Sequence, residues 1–228
     1  MLSAAIQDYL KVIYQVQREK GKVTTSALAE RLSVSSASVT NMVKKLAEMK
    51  LVKHTPYRQV VLTPAGEKIA LEIVRHHRLL ELYLAEVMGY SWDQVHEEAE
   101  KLEHVISEEF EERMSAALGH PSVDPHGHPI PAKDGTITVL EHGRLSDLPI
   151  GSRGVVRRVD DRDPDCLRYL QRRGLVLNAR IEVLRREPFD GPLVVRVGSD
   201  EHHLGLEVAR RVFVEETAPG AGESVSPS

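Results

Sequence analysis

The stretch VHEEAEKLEHV, residues 95–105, decides how this chain is read. Set on a helix at ~100° per residue, Ala99, Leu102, Val105 and Ile106 form one apolar stripe, and His96, Glu100, Glu103 and His104 crowd the strip beside it. Residues three and four apart on a helix lie within side-chain reach, so Glu100, Glu103 and His104 can close on one cation. For a single helix, a solvated acidic face is the ordinary explanation. A second helix tips the balance: IVRHHRLLELYL, residues 73–84, sets His77 and Glu81 four apart beside Leu80 and Leu84. An i,i+4 ion pair accounts for His77 with Glu81 equally well. Two helices that each offer His and Glu, however, are how bundle cores build metal sites.

Working outward, the formal net charge is only -4, and it is unevenly spread. From Ser36 to Arg58 the cations Lys44, Lys45, Lys50, Lys53 and Arg58 face Glu48 alone, whereas Val95 to Met114 carries eight acids against Lys101 and Arg113. One region suits phosphate and the other suits cations. The chain opens with a helical pattern over Ser3–Lys20, buried along Ile6, Leu10, Ile13 and Val16, with Gly21 as its stop. Asp8 has Ala5 and Val12 as helical neighbours, which turns it toward a packed surface. A short helix capped by Thr25 or Ser26 runs to Leu32, and a polar break at Ser33–Ser35 leads into SASVTNMVKKLAEM, residues 36–49. That second helix opens with slim hydrogen-bonding groups and continues into lysines, which is what reading base edges and holding phosphates requires. Leu51–Lys53 and Val60–Leu62 read as two strands around a turn, His54–Gln59, and so as a wing. The candidate DNA contacts are Ser35, Ala37, Ser38, Thr40, Asn41, Lys44, Tyr57 and Arg58.

Thr63 followed by Pro64 is an N-cap and first-turn pair, and it starts a long helix expected to reach Met88 before Gly89. Leu79, Leu82, Leu84 and the run from Met114 to Leu118 add more apolar surface than a DNA-binding head needs, which suits helix pairing between two subunits. From Gly119 to Gly135 the composition shifts to Pro, Gly and His. There SVDPHGHPIP offers Asp124 and His126 as further ligands from a proline-pinned loop, with His128 read as merely exposed. The remainder, from about residue 141, consists of short β-rich runs with one helix, DPDCLRYLQRRG, and fits a small β-barrel. Asp160, Asp161, Asp163 and Asp165 read as a cap and turn cluster, and the Pro, Gly and Ser-rich end from Thr217 as disordered.

Several function classes fall away. Cys166 is the single cysteine, so no intrachain disulfide or thiolate zinc cluster can form, and a cytoplasmic protein is expected. No apolar run approaches the ~18 residues of a membrane span. Three Phe and one Trp are too few to line a pocket for an organic effector. Carboxylate-bridged metalloenzymes carry Glu-x-x-His pairs, whereas the spacing here is Glu-x-x-Glu-His, so no enzyme is expected.

Taken in order, IQDYLKVIY, SVSSASVTNMVKKL, YRQVVLTPAGEKIA, RHHRLLE, VHEEAEKLEHVIS and DPHGHPIP resemble the diphtheria toxin repressor family of metal-dependent transcription regulators, and within it the manganese-responsive branch. The resemblance spans Met1 to about Glu216. It implies a mainly α fold with a small β domain. The parts are a winged helix-turn-helix over 1–64, a helical dimerisation and metal-binding domain over 65–140, an SH3-like β-barrel over 141–216 and a tail over 217–228. It also implies a homodimer that binds palindromic operator DNA of metal-homeostasis genes with Mn²⁺, or alternatively Fe²⁺, as co-repressor, at one or two ions per subunit. The ligands so implied are Asp8, His77, Glu100, Glu103 and His104. A second set would combine Glu81, Asp124, His126 and Asp160, and His96 matches an ancillary ligand of the iron branch. Asp8 and Glu100 stand where that branch has a methionine and a cysteine. Lys11 stands where a smaller manganese regulator has a glutamate, which argues against a two-metal cluster of that form.

Overall fold

The first helix forms where its apolar period demands it. In the computed structural model, which describes residues 2–54, 59–138 and 141–217, α1 spans Ala4–Lys20 and buries Ile6, Leu10, Ile13 and Val16. Gly21 closes it in the left-handed region at φ 70°, donating its N–H to the Gln17 carbonyl. The next helix, α2 (Thr25–Leu32), is capped by Thr24, whose hydroxyl accepts from the Ala27 N–H. The expected cap at Thr25 or Ser26 is therefore one residue late, because Thr24 already has the extended backbone a cap needs. Ser33 turns the chain at φ 53°, and Ser35 caps α3 (Ser36–Glu48). Strands β1 (Val52–His54) and β2 (Val60–Leu62) pair antiparallel, Val52 opposite Leu62. The Tyr57 and Arg58 expectations lie outside the described residues.

Thr63 starts α4 (Pro64–Glu86) as the Thr-Pro pair predicts. Its hydroxyl accepts from the Gly66 N–H and donates to the Lys50 carbonyl. Gly66 is required there, since a Cβ would sit 2.0 Å from the Leu51 carbonyl oxygen. The expected extension to Met88 frays two residues early, and the Tyr90 N–H closes on the Leu84 carbonyl. Helix α5 covers only Val95–Leu102, and α6 covers Glu108–Ala117. Glu103 and His104 therefore leave the helix in a turn, and Val105, expected on the apolar stripe, is 74% exposed.

By its internal packing the chain divides into two compact units, residues 1–83, 97–122 and 130–138 in one and 84–96, 123–129 and 139–228 in the other. The core of the first unit gathers α1, α2, α3, the hairpin and the start of α4 around Leu10, Ile13, Leu28, Val39, Val43 and Leu46. The second unit is a six-stranded antiparallel sheet ordered β3-β8-β4-β5-β6-β7. Its elements are β3 (Gly143–Arg144), β4 (Arg153–Val159), α7 (Pro164–Gln171), β5 (Arg180–Arg186), β6 (Leu193–Val197), β7 (Asp200–Leu204), α8 (Leu206–Ala209) and β8 (Val212–Thr217). Register shifts at Val156/Arg158 and Val183/Arg185 bend β4 and β5 around a core of Leu145, Leu167, Leu170, Val183, Leu193 and Val214. This is the small barrel-like sheet that the β-rich runs foretold.

Candidate metal centre

Ligand-type side chains meet in the first unit because α1 and the turn after α5 pack on α4. Asp8, Glu103 and His104 each bring one donor atom within 4.8 Å of the others. His104 Nε2 lies 2.8 Å from Asp8 Oδ1 and 3.4 Å from Glu103 Oε1, and its Nδ1 is 2.8 Å from Gln7 Oε1. The chain leaves the helix at Leu102, and His104 lies in the turn that follows, against Asp8 of α1.

Lys11, one turn beyond Asp8, is the cation at the middle of this group. It is 3% exposed, and its ammonium donates to Glu100 Oε1 and Glu103 Oε1, both at 2.6 Å. Burial works against that charge, but Glu103 and Glu100 outweigh it and hold the lysine above its ordinary range. The other Glu103 oxygen accepts from His77 Nδ1 at 2.5 Å, and His77 Nε2 donates to Glu81 Oε1 at 3.0 Å. Two carboxylate acceptors hold both ring nitrogens protonated. Burial opposes this, yet Glu81 and Glu103 prevail and push the imidazole up to about 10. Burial likewise opposes charge on Glu103, but His77 and Lys11 keep its carboxyl below the usual range. Asp8 goes the other way, raised by burial against the pull of His104 and Lys11. The five residues expected as a primary set thus form one linked cluster in one unit. Sequence reasoning took Lys11 only as a difference from relatives. The available signal was its i,i+3 spacing from Asp8 on a face that otherwise buries Leu10 and Tyr14.

The expected second set is divided. Glu81 belongs to the first unit, where it holds His77. In the second unit Asp124, His126 and His128 bring donor atoms within 4.8 Å. Asp124 Oδ1 accepts the backbone N–H groups of His126 and His128, at 2.8 and 2.9 Å. His126 Nε2 donates to the Trp92 carbonyl at 2.7 Å, and its ring stacks on that indole. Gly127, at φ 88°, presses onto the Arg157 carbonyl, leaving no room for a Cβ. His128, read as exposed, is half-buried, with Nδ1 3.3 Å from Asp124 Oδ2 and 3.6 Å from Asp161 Oδ2. Asp160 instead turns its carboxylate to the Arg162 guanidinium. Burial of Asp160 opposes charge, but that partner holds its carboxyl below the usual range. His96 sits at the start of α5, in the second unit.

On α3, Ser35, Ala37, Ser38, Asn41, Lys44 and Lys45 are exposed and Thr40 is half-buried, while Val39, Val43 and Leu46 face the core. Ser35 and Ser38 share a hydroxyl hydrogen bond of 3.0 Å, and Thr40 donates to the Ser36 carbonyl. Helix capping thus ties up part of the hydroxyl capacity, and the Asn41 amide projects beyond it.

Three family models match the chain in succession. The iron dependent repressor N-terminal DNA binding domain covers residues 1–60, the iron dependent repressor metal binding and dimerisation domain 63–132, and the FeoA domain 143–216. The iron-dependent repressor IdeR of Mycobacterium leprae is 33% identical over 91% of this chain and 95% of its own length. The diphtheria toxin repressor of Corynebacterium diphtheriae is 36% identical over 55% of this chain and 56% of its own. Among solved structures, a manganese-dependent transcriptional repressor in complex with manganese superposes with a TM-score of 0.86 at 42% identity, covering 93% of this chain and all of that one. The manganese-activated repressor ScaR in its apo form gives 0.76 at 34% identity, covering 92% of this chain and all of that one. The proteins so matched are repressors, not enzymes, and among the described residues no helix is long and apolar enough to cross a membrane.

Proposed function

We propose that this chain, which belongs to the iron-dependent repressor family, is a homodimeric, manganese-responsive regulator whose metal-bound form grips palindromic operators of metal-homeostasis genes. The observation that carries this reading is the Asp8, Glu103 and His104 cluster with Glu100 alongside. Its donors are carboxylate oxygen and imidazole nitrogen, with no sulfur, a set that suits manganese or ferrous iron in preference to thiophilic metals. Charge fits as well. Asp8, Glu100 and Glu103 bring three negatives against Lys11, and His77 with Glu81 cancels, so two negatives await one divalent cation. We therefore assign one ion to this cluster, held by Asp8, Glu100, Glu103 and His104. His77 joins them once its Nδ1 proton is released, as metal binding to protonated ligands requires.

A divalent ion bound there supplies electrostatic cross-linking between a helix of the DNA-binding head and the turn after α5. The chain's own residues do the rest. Asp8 is the only member of the set contributed by the head, so it transmits the restraint. Lys11, fixed to Glu100 and Glu103, keeps their carboxylates convergent. Ser35, Ala37, Ser38, Thr40 and Asn41 face the major groove, and Lys44 with Arg58 holds phosphate. Two such heads must lie ~34 Å apart, or a multiple of it, to read a palindrome. Each tenfold gain in operator affinity draws ~1.4 kcal/mol from preferential metal binding to the competent state. Ferrous iron is the alternative effector, favoured by the iron-dependent M. leprae relative. The test is fluorescence anisotropy on duplexes enriched by the Mn²⁺-loaded protein, titrated with Mn²⁺, anaerobic Fe²⁺ and Zn²⁺. Equal DNA binding in EDTA and in Mn²⁺ would refute the reading.

A further inference from the structure

We infer that the first unit carries an additional divalent-cation site, built from Glu72 and His76 of α4 and Glu108 of α6, with Glu111 beside it. Glu72, His76 and Glu108 place one donor atom each within 4.8 Å of one another, and Glu72 and His76 share a helix face four residues apart. Acidic side chains on a surface do not make a site. His76 is what distinguishes this group. It is 5% exposed, and its Nδ1 lies 3.2 Å from the Glu103 carbonyl oxygen. A carbonyl only accepts, so Nδ1 carries the hydrogen of that bond, and Nε2 is the ring nitrogen that can ligate a cation. Fixing one ring nitrogen on a backbone carbonyl is how metal-ligating histidines are oriented. Among the described residues, the buried Nε2 has no hydrogen-bond partner. Glu111 Oε2 is 3.7 Å away, while Arg75 holds the other Glu111 oxygen at 2.7 Å.

A cation between Nε2 and these carboxylates would give the buried nitrogen the partner it lacks. Glu72, Glu108 and Glu111 all line a cavity of about 270 Å³, together with Lys68, Arg75 and Lys133. Arg75 is committed to Glu111 and the Pro131 carbonyl, and Lys133 to Glu112. One imidazole and two or three carboxylates suit Mn²⁺, Fe²⁺ or Co²⁺. None of these residues belongs to the Asp8 cluster, although the carbonyl that orients His76 is that of Glu103. A cation here ties α4 to the first turn of α6.

The experiment uses the full-length protein and MnCl₂. Crystals grown with Mn²⁺ are examined for anomalous scattering, and ions per protomer are counted by equilibrium dialysis for the parent, Glu72→Gln/Glu108→Gln, His76→Gln and Asp8→Asn. Glu72 and Glu108 are exposed, so the double variant keeps the fold. Expected are an anomalous peak at His76 Nε2 in the parent, its loss together with one equivalent of Mn²⁺ in the double variant and in His76→Gln, and its retention in Asp8→Asn. No peak at His76 in the parent, or an unchanged Mn²⁺ count in the double variant, overturns the inference. Because Asp8→Asn tests the regulatory reading by DNA binding and leaves His76 intact, either idea can fail without the other.

Discussion

Replacing Lys11 by Met removes the buried ammonium that Glu100 and Glu103 share while keeping the length of an apolar stem. The two partners do not count equally. The Glu100 side chain is 40% exposed, so solvent screens that pair to below about 1 kcal/mol. The Glu103 side chain is fully buried, and stranding one member of a buried pair costs about 3–5 kcal/mol. His77 still donates to the other Glu103 oxygen, which places the expected loss at the lower end, about 3 kcal/mol in the metal-free protein. The cluster then carries three uncompensated negatives instead of two, so a divalent cation should stabilise the variant more than the parent. At one fixed Mn²⁺ concentration, about a hundred times the parent's Kd, the parent gains ~2.7 kcal/mol and a variant that binds about ten times tighter gains ~4.1 kcal/mol, and that difference measures the contribution of Lys11. Urea denaturation of both proteins, in EDTA and in Mn²⁺, reads this directly. If Lys11→Met matched the parent's stability in EDTA, or if Mn²⁺ failed to narrow the gap, Lys11 would not be the internal counter-charge of the cluster.

Asp8→Asn should leave the dimer and most of the fold intact yet abolish most of the Mn²⁺-dependent gain in DNA affinity, whereas Asp160→Asn, whose carboxylate meets Arg162, should shift the Mn²⁺ response little; anisotropy titrations of both against free Mn²⁺ decide between them. Lys44→Ala should weaken binding to every duplex and reduce the salt slope by ~1, while Asn41→Ala should relax sequence choice, and an equal loss on specific and random duplexes would exclude base reading by Asn41. Asp163 caps α7 and accepts from Arg211, which with the backbone N–H groups holds its carboxyl below the ordinary 3.8. Its folded pKa being depressed, it contributes stability above the unfolded value that is lost as pH falls through the folded one. Acid unfolding below about pH 4 should therefore be shallower in Asp163→Asn, as followed by circular dichroism.

Much of this was legible because local chemistry and tertiary packing agree. The stripe of α1, the Gly21 stop and the Thr63-Pro64 start each depend on a few residues, and the fold realises each. Misreadings occurred where a tertiary partner overrules the local period. The apolar stripe through Val105 fails because the chain leaves the helix at Leu102 to bring His104 onto α1. Lys11 could not be placed from composition, since its partners are 89 and 92 residues away. His76 lay in plain view within RHHR, but the signal that singles it out is a backbone carbonyl, which no sequence pattern displays. Asp160 and Asp161 are adjacent in sequence, yet one meets the Arg162 guanidinium and the other faces His128, a division that adjacency alone does not display.

The sulfur-free character of the proposed regulatory cluster has a bearing on durability. Thioether and thiolate ligands climb an oxidation ladder that ends in irreversible loss of the donor. Carboxylates and imidazoles in the Asp8 group have no comparable rung. The chain's single thiol, Cys166, is packed into the core of the sheet, where burial pushes its pKa up and keeps it from becoming the reactive thiolate. On the proposed assignment, peroxide meets no sulfur among the metal ligands, and oxidation of a ligand is not a route by which it would switch the protein off.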